Sequence, residues 1–233
     1  AIFNGTSDPY MTRWTPSTGG WSHQTYDGWS TVADISYGGI AAWQNYVFVT
    51  DMAMGSGPDV PAGIIRFDTT AGTATRYWEN VDFVDVTLGW NGLLYALRPG
   101  GRYVWVFDPL TMDALAFTID AACAGIAVDA DGMVFGASTD GNLYRFNLTG
   151  DLLDTLSTGL AGGLTDIDLA ADGSLVAGSR IGWVITSDTS LQSFDGFRAH
   201  PYLPTFVSVT TPAPEPGVAA AVLLGLALAV RRR

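Results

Sequence analysis

Short runs of alternating hydrophobic and polar residues recur along this chain, and an Asn-Gly or Asp-Gly pair interrupts each of them. The turn glycines Gly92, Gly132 and Gly173 are 40 and 41 residues apart. The segments that align around them are residues 85–96, 125–136 and 166–177. A period of two with a two-residue Asn-Gly or Asp-Gly turn predicts β-hairpins. The body of the chain is therefore predicted to consist of repeated strand pairs.

Each hairpin is followed by two further predicted strands. The third strand ends in an aromatic residue and then Asp or Asn, at residues 64–68, 104–108 and 143–147, with a degenerate copy at 184–188. The fourth strand follows a turn-rich stretch, at residues 74–78, 115–119, 152–157 and 191–194. Four short strands in about 40 residues are typical of one blade of a β-propeller.

The two ends of the chain set the expected number of blades. Residues 39–80 form a further unit, which contains a Gly- and Pro-rich loop at 52–63. Residues 1–14 align with 133–146, so the chain opens on the second strand of a blade. The missing first strand is assigned to residues 205–210.

We therefore predict an all-β fold, a five-bladed β-propeller of four-stranded antiparallel blades spanning residues 1–211, with Velcro closure by 205–210. Residues 195–204 are the predicted hinge before that closing strand. If the closing strand paired with a neighbouring molecule instead, the chain would self-associate as a swapped dimer or filament. Closure within one molecule is the main expectation.

The charge balance limits the classes of partner. The chain carries 23 acidic residues against 11 arginines and no lysine, a net charge of -12. Such a chain should repel nucleic acid and anionic lipid, and attract Ca²⁺ or basic partners. Its 12% aromatic and 15% charged residues favour a folded body over a disordered one. The single cysteine, Cys123, is predicted to be a small buried thiol.

The last twenty residues have a separate pattern. Pro214-Glu215-Pro216 precedes an uncharged apolar run at 217–230, and the chain ends in Arg231-Arg232-Arg233. Fourteen helical residues span about 21 Å, whereas a bilayer core is about 30 Å thick. The run therefore favours a processed segment over a permanent anchor. Arginines prefer the cytoplasmic side, which places the preceding domain outside the inner membrane.

These three parts in this order resemble the PEP-CTERM sorting signal. The resemblance implies a Pro-rich spacer at 212–216 and a short hydrophobic sorting helix at 217–233 with an arginine terminus. It implies export across the inner membrane of a Gram-negative bacterium and processing by exosortase, a membrane protease/transpeptidase. It further implies a cell-surface or extracellular-matrix location and an association with exopolysaccharide. The apolar run 217–230 would contact the inner membrane transiently.

Candidate chemistry centres on the first positions of the inner strands, which line the channel of a propeller. In register these are Gly39, Asp85, Gly125, Asp166 and approximately Thr205. Asp85 and Asp166 would then approach one another, and paired carboxylates are what a glycoside hydrolase requires. The structural alternative is that both cap strand ends, bind water or hold a cation. That alternative is favoured, because the ring otherwise lacks groups suited to a sugar subsite.

Cofactor sites are predicted to be absent, with Ca²⁺ as the alternative. The acidic candidates for Ca²⁺ are Asp129, Asp131, Asp166, Asp168 and Asp172. They do not form an EF-hand loop, and the Asp-Gly pairs are better explained as turns. The two histidines, His23 and His200, lack the context of a zinc site.

Tryptophans and tyrosines concentrate near the N-terminus, at Trp14, Trp21, Trp29, Trp43, Tyr10, Tyr26 and Tyr37. If exposed, they would suit stacking on sugars. The sequence therefore indicates an exported, non-enzymatic propeller that acts as a binding or structural module. The alternatives are a secreted glycoside hydrolase that uses Asp85 and Asp166, and a surface filament subunit that assembles by strand exchange.

Overall fold

A computed structural model describes residues 2–3, 10–15, 20–24, 35–53, 62–160, 162–179, 181–186, 188–193 and 196–199. All regular structure in these ranges is β-strand, as the sequence predicts. The chain divides into two compact units, residues 1–83 and 84–233. No helix in the described ranges is long and apolar enough to cross a membrane.

Unit 1 contains one three-stranded and one four-stranded antiparallel sheet. The three-stranded sheet consists of β1 (Ile2–Phe3), β2 (Tyr10–Thr15) and β3 (Gly20–Gln24). The four-stranded sheet consists of β4 (Ile35–Trp43), β5 (Tyr46–Ala53), β6 (Gly63–Asp68) and β7 (Thr73–Tyr77). β4 begins at Ile35, four residues before the predicted unit 39–80, and carries a bulge between Tyr37 and Ile40. Such a bulge bends the strand locally.

Unit 2 contains three four-stranded antiparallel meanders. The first consists of β8 (Asp85–Leu88), β9 (Leu94–Leu97), β10 (Tyr103–Phe107) and β11 (Ala114–Thr118). The second consists of β12 (Gly125–Val128), β13 (Val134–Ala137), β14 (Asn142–Phe146) and β15 (Leu152–Ser157). The third consists of β16 (Leu164–Leu169), β17 (Leu175–Ser179), β18 (Gly182–Ile185) and β19 (Gly196–Ala199).

The three sheets of unit 2 pack face to face through two apolar clusters. Between the first two sheets lie Tyr95, Val104, Ile126 and Phe146, each at most 2% exposed. Between the second and third lie residues that include Phe135, Leu143, Ile167 and Leu175. Side chains alternate across a strand, so β12 supplies Ile126 to one cluster and Ala127 to the other. Both faces of the middle sheet are therefore buried at β12 and β13, and these two strands are continuous apolar runs.

The hairpins around Gly92, Gly132 and Gly173 are confirmed, but the predicted two-residue turns are wrong. Gly132 N donates to the carbonyl of Asp129, and Asp129 N donates to the carbonyl of Met133, both at 3.2 Å. These bonds close a three-residue loop in which Gly132 has a φ of +82°. The pattern repeats at Gly92 and Gly173. The glycine is required because a left-handed residue must follow the tight turn.

The Asp or Asn that ends or follows each third strand stabilises the turn after that strand. Asp108 Oδ1 accepts bonds from Leu110 N at 2.7 Å and Thr111 N at 3.1 Å. Equivalent bonds form at Asp68, Asn147 and Asp188. Side chains that bond the backbone two residues ahead hold a turn in place. The motif that marks the repeat in the sequence therefore has a local structural cause.

The last sheet departs from the predicted strand positions. The third strand runs over Gly182–Ile185 rather than 184–188, and the fourth over Gly196–Ala199 rather than 191–194. Leu191 is 4% exposed, has a φ of +55° and belongs to the apolar cluster beneath β17. Its side chain fills the core from a loop, and the apolar residue led to the incorrect prediction of a strand over 191–194. Strand β19 consequently occupies part of the predicted hinge 195–204.

Residues 200–233 lie outside the described residues. The predicted closing strand 205–210, the spacer 212–216 and the sorting helix 217–233 all fall in this part of the chain, as do Pro214, Glu215, Pro216, Arg231, Arg232 and Arg233. Those assignments stay predictions.

Candidate functional site: the inner-strand carboxylates

Asp85, Gly125 and Asp166 occupy equivalent positions on the three inner strands of unit 2: the first two begin their strands, and Asp166 is the third residue of β16. Asp85 pairs with Leu97, Gly125 with Ala137 and Asp166 with Gly178, in each case the same register against the second strand. The inner strands β8, β12 and β16 are neighbours. Asp85 and Asp166 therefore flank the central strand on its two sides. Gly39, in unit 1, donates from its backbone N to Thr50 Oγ1, and Thr205 lies outside the described residues.

Asp85 is held against the next inner strand. Its side chain is 6% exposed, and its Oδ2 accepts a hydrogen bond from Ile126 N at 2.8 Å. The N–H of Val86 also donates to this carboxylate. Burial raises the pKa of Asp85 to about 6, opposed by the two backbone bonds and reinforced by the negative charge of Asp168. This carboxylate therefore links the sheet that contains β8 to the backbone of β12 in the next sheet.

Asp166 occupies the equivalent register position one sheet further along. It is 7% exposed, and its Oδ1 accepts a bond from the adjacent Ile167 N at 2.9 Å. Gly125 packs directly against it: a Cβ added there would lie 2.6 Å from Asp166 Oδ1 and 2.8 Å from its Cα. The glycine at this position is thus explained by the close approach of β12 and β16.

Both carboxylates can play a structural part, and Asp85 could also take part in acid chemistry. Each accepts backbone N–H bonds inside the sheet packing, which fits the strand-end capping role expected from the sequence. Asp85 also has a pKa suited to a general acid at mildly acidic pH. Asp168, half-buried on the same strand as Asp166, accepts a bond from Leu169 N at 2.8 Å. Every one of these acidic groups therefore bonds to the strand backbone.

The Ca²⁺ candidates near the Asp-Gly pairs form turn contacts. Asp129 Oδ1 accepts bonds from Asp131 N and Met133 N, at 3.0 and 2.9 Å. Asp172 Oδ1 accepts bonds from the N and Oγ of Ser174. Across the described ranges, no group of three or more His, Cys, Asp or Glu side chains converges on a common point.

The aromatic group near the N-terminus includes one residue with a described side chain, Trp43. It is 6% exposed and stacks on Tyr46, with ring centroids 6.2 Å apart. Arg66 in turn lies 4.8 Å above the rings of both Tyr46 and Tyr77. Trp43 is therefore a packing residue in unit 1 and does not meet the condition of exposure that sugar stacking requires.

The thiol of Cys123 is buried, as predicted. It lies beneath β13, where a Cβ added to Gly136 would come within 2.2 Å of Cys123 Sγ. Burial, and secondarily the charge of Asp140, raise the pKa of Cys123 to about 12. A thiol in this state is a packing group rather than a nucleophile.

Sequence reasoning missed the turn between β9 and β10. Arg98 N donates to the carbonyl of Tyr103 at 2.9 Å, and Tyr103 is 53% exposed. In the aligned repeats the position of Arg98 is held by Ser138 and Ser179. This departure from the repeat could have marked the turn as unusual, because Arg98 stands where the other two repeats have a turn-forming serine.

Comparison with known proteins supports the fold. No protein-family model matches the chain, and no curated protein matches it significantly. Among solved structures, the chain is similar to virginiamycin B lyase from Staphylococcus aureus, with a TM-score of 0.60 and 15% identity over 87% of this chain and 68% of that one. A catalytically inactive form of that lyase with quinupristin gives a TM-score of 0.61 and 15% identity, over 90% and 73% of the chains. A nidogen/laminin complex gives a TM-score of 0.65 and 11% identity, over 90% and 81%.

These neighbours are β-propellers, and the four-stranded antiparallel meanders described above are the blades of that fold. At 11 to 15% identity, the likeness concerns the fold alone. The chain is an all-β protein of the β-propeller class. Both a lyase and a nidogen/laminin complex share the architecture, so activity has to be argued from this chain's own residues.

Proposed function

We propose that this chain is an exported, non-catalytic β-propeller that acts as a binding or structural module at the cell surface or in the extracellular matrix. The propeller has five blades, and residues 205–210 close the ring. The observation that carries the proposal is the bond between Asp85 and the backbone of Ile126. Through this bond Asp85, the main catalytic candidate, serves to join two blades.

The tail sequence supports the proposed location of the protein. Pro214-Glu215-Pro216, the apolar run 217–230 and the terminal arginines resemble a sorting signal read by an exosortase-type enzyme. Fractionation of a bacterium that encodes exosortase tests this part. The full chain should reach the surface or medium in processed form, and an Arg231→Ala, Arg232→Ala, Arg233→Ala variant should accumulate unprocessed. Equal processing of both chains would contradict the sorting proposal.

A glycoside hydrolase is the second candidate, and the raised pKa of Asp85 favours it. Two carboxylates with different environments are the usual arrangement of acid and base in such enzymes. The test is release of reducing ends from matrix polysaccharide by the full chain and by an Asp85→Asn, Asp166→Asn variant. Cleavage that disappears in the variant would establish the enzyme. Absence of cleavage by the unaltered chain supports the binding module.

A further inference from the structure

The turn between β9 and β10 is firmly fixed to the rest of unit 2. Ile119 N donates to the carbonyl of Arg102, and Cys123 N donates to that of Gly101, both at 2.9 Å. Arg102 Nη1 donates to the carbonyl of Asp120 at 2.8 Å. These three bonds hold residues 98–103 against the segment that follows β11. Side chains on this turn are therefore presented from a rigid backbone.

Arg98 and Tyr103 stand opposite one another across this turn. The bond from Arg98 N to the carbonyl of Tyr103 extends the register in which Val104 pairs with Leu97. Residues directly opposed in an antiparallel pair project from the same face, with Cβ atoms about 5 Å apart. Arg98 therefore lies on the same face of the hairpin as Tyr103, which is 53% exposed.

The guanidinium of Arg98 is not neutralised by the described part of the protein. Its Nε is shielded from solvent and has no acceptor there, which is also true of the Nε of Arg145. Other arginines are engaged: Arg76 pairs with Asp51, Arg102 bonds to a carbonyl and Arg145 pairs with Asp154. Arg98 as a whole is only half-buried, and an anion that approached its guanidinium would supply the missing counter-charge. In a chain of net charge -12, such a cation is a local exception.

The equivalent positions show that the arginine does not serve the turn. Ser138 Oγ accepts a bond from Asp140 N, and Ser179 Oγ donates to the carbonyl of Gly182 and accepts from Ile181 N. Both serines stabilise their own turns. Arg98 cannot replace those bonds, because its polar atoms lie at the end of a long side chain.

We propose that Arg98 and Tyr103 form a binding site for an acidic sugar unit, namely a uronate within a polysaccharide. The guanidinium pairs with the carboxylate through two parallel hydrogen bonds, and the sugar ring stacks on Tyr103. The surrounding negative charge opposes polyanions in general, and nucleic acid most strongly because its charges are closely spaced, so the site should engage a single uronate unit of a chain. This assignment rests on the proposed function, for which it names the ligand class.

The test is affinity electrophoresis of the full chain, in mild detergent, through gels that contain polygalacturonate or neutral dextran. We expect retardation by polygalacturonate alone, weakened by salt. Arg98→Gln should lower the affinity by about tenfold or more, and Tyr103→Ala should lower it while Tyr103→Phe retains it. Arg145→Gln is the matched control and should bind as the unaltered chain does, since Arg145 already pairs with Asp154.

Several outcomes would overturn the site. They are unchanged binding by Arg98→Gln, equal loss in Arg145→Gln, no retardation by polygalacturonate, and equal displacement by inorganic phosphate and by galacturonate. Thermal unfolding of each variant separates lost binding from lost folding. Cell fractionation of Arg98→Gln separates this site from the proposed function: the variant should still be sorted. Failed sorting of the unaltered chain, with Arg98-dependent binding intact, would overturn the proposed function and leave the site standing.

Discussion

The carboxylate of Asp85 accepts a hydrogen bond from the backbone N–H of Ile126, 41 residues further along the chain and on the neighbouring sheet. The bond is buried and joins β8 to β12 near the start of each strand. A side chain that bonds a backbone in the next sheet fixes both the spacing and the register of the two. The stability of unit 2 should therefore depend on the protonation state of one residue.

The first prediction is a pH dependence of stability with a defined sign. The pKa of Asp85 is raised from 3.8 to about 6, so the folded state binds this proton more tightly than the unfolded state. The contribution is fully present below pH 4 and is lost as the pH rises through 6. A shift of about two pH units corresponds to on the order of 3 kcal/mol. Urea unfolding between pH 4 and 8 measures it.

Asp85→Asn is the control for that measurement. Asparagine keeps an oxygen for the Ile126 N–H bond and cannot ionise, so its stability should fall much less between pH 4 and 7 than that of the unaltered chain. If both chains show the same pH profile, other groups dominate and the assignment to Asp85 is wrong.

The second prediction concerns Gly125, where β12 and β16 approach closely. Gly125→Ala would place a Cβ 2.8 Å from the Cα of Asp166, and backbone cannot move aside cheaply. We expect a loss of about 3 kcal/mol in the free energy of unfolding, the upper range for overpacking. Gly173→Ala is the matched control: it has open space around it and a φ of +85°, so it should cost about 1 kcal/mol of backbone strain. Equal losses would contradict the close approach.

Strands and blades were predictable because each blade repeats its own hydrophobic pattern. Strand β15 has the predicted limits Leu152–Ser157, since an alternating run is bounded by clear turn residues on both sides. Leu191 was misassigned because a single apolar residue that plugs a core from a loop has no period to distinguish it. The turn at Gly132 was given the wrong length, because the same Asp-Gly pair fits both a two-residue and a three-residue loop.

The candidate site was predictable only in part. The register of Asp85 and Asp166 followed from the repeat, since equivalent positions in aligned blades occupy equivalent places. What their oxygens bond to did not, because the partner N–H of Ile126 lies in another sheet. The pairing of Arg98 with Tyr103 depended on the length of one turn, which local sequence does not determine.

The third prediction tests the Asx turns that mark the repeat. Asp108→Ala removes the acceptor of the Leu110 and Thr111 N–H groups, and should lower the free energy of unfolding by about 1 to 2 kcal/mol. Asp108→Asn retains the oxygen and should cost less. Asp113→Ala removes an exposed carboxylate beside the same turn and should change stability by less than about 0.5 kcal/mol. Equal effects of both alanine variants would exclude the turn bonds as the cause.

The fourth prediction compares two ion pairs of different burial. Arg76 pairs with Asp51 at 2.7 Å, and the Asp51 side chain is only 2% exposed. Arg76→Met should cost about 3 kcal/mol, because it leaves a buried carboxylate without its cation. Arg145→Met breaks a pair whose side chains are 28% and 34% exposed and should cost below about 1 kcal/mol. Double-mutant cycles with Asp51→Asn and Asp154→Asn measure both couplings, and equal couplings would contradict the ranking.

The fifth prediction concerns the thiol of Cys123, which is buried and whose pKa is raised to about 12. At pH 8 an exposed thiol is about one quarter ionised, whereas Cys123 should be almost entirely protonated. A disulfide reagent that reacts with thiolates should therefore label the native chain at least about 100-fold more slowly than the urea-unfolded chain. Thr139→Cys supplies an exposed thiol in the turn between β13 and β14 as an internal standard. If both cysteines of that variant react at one rate in the native state, Cys123 is accessible and its packing role is refuted.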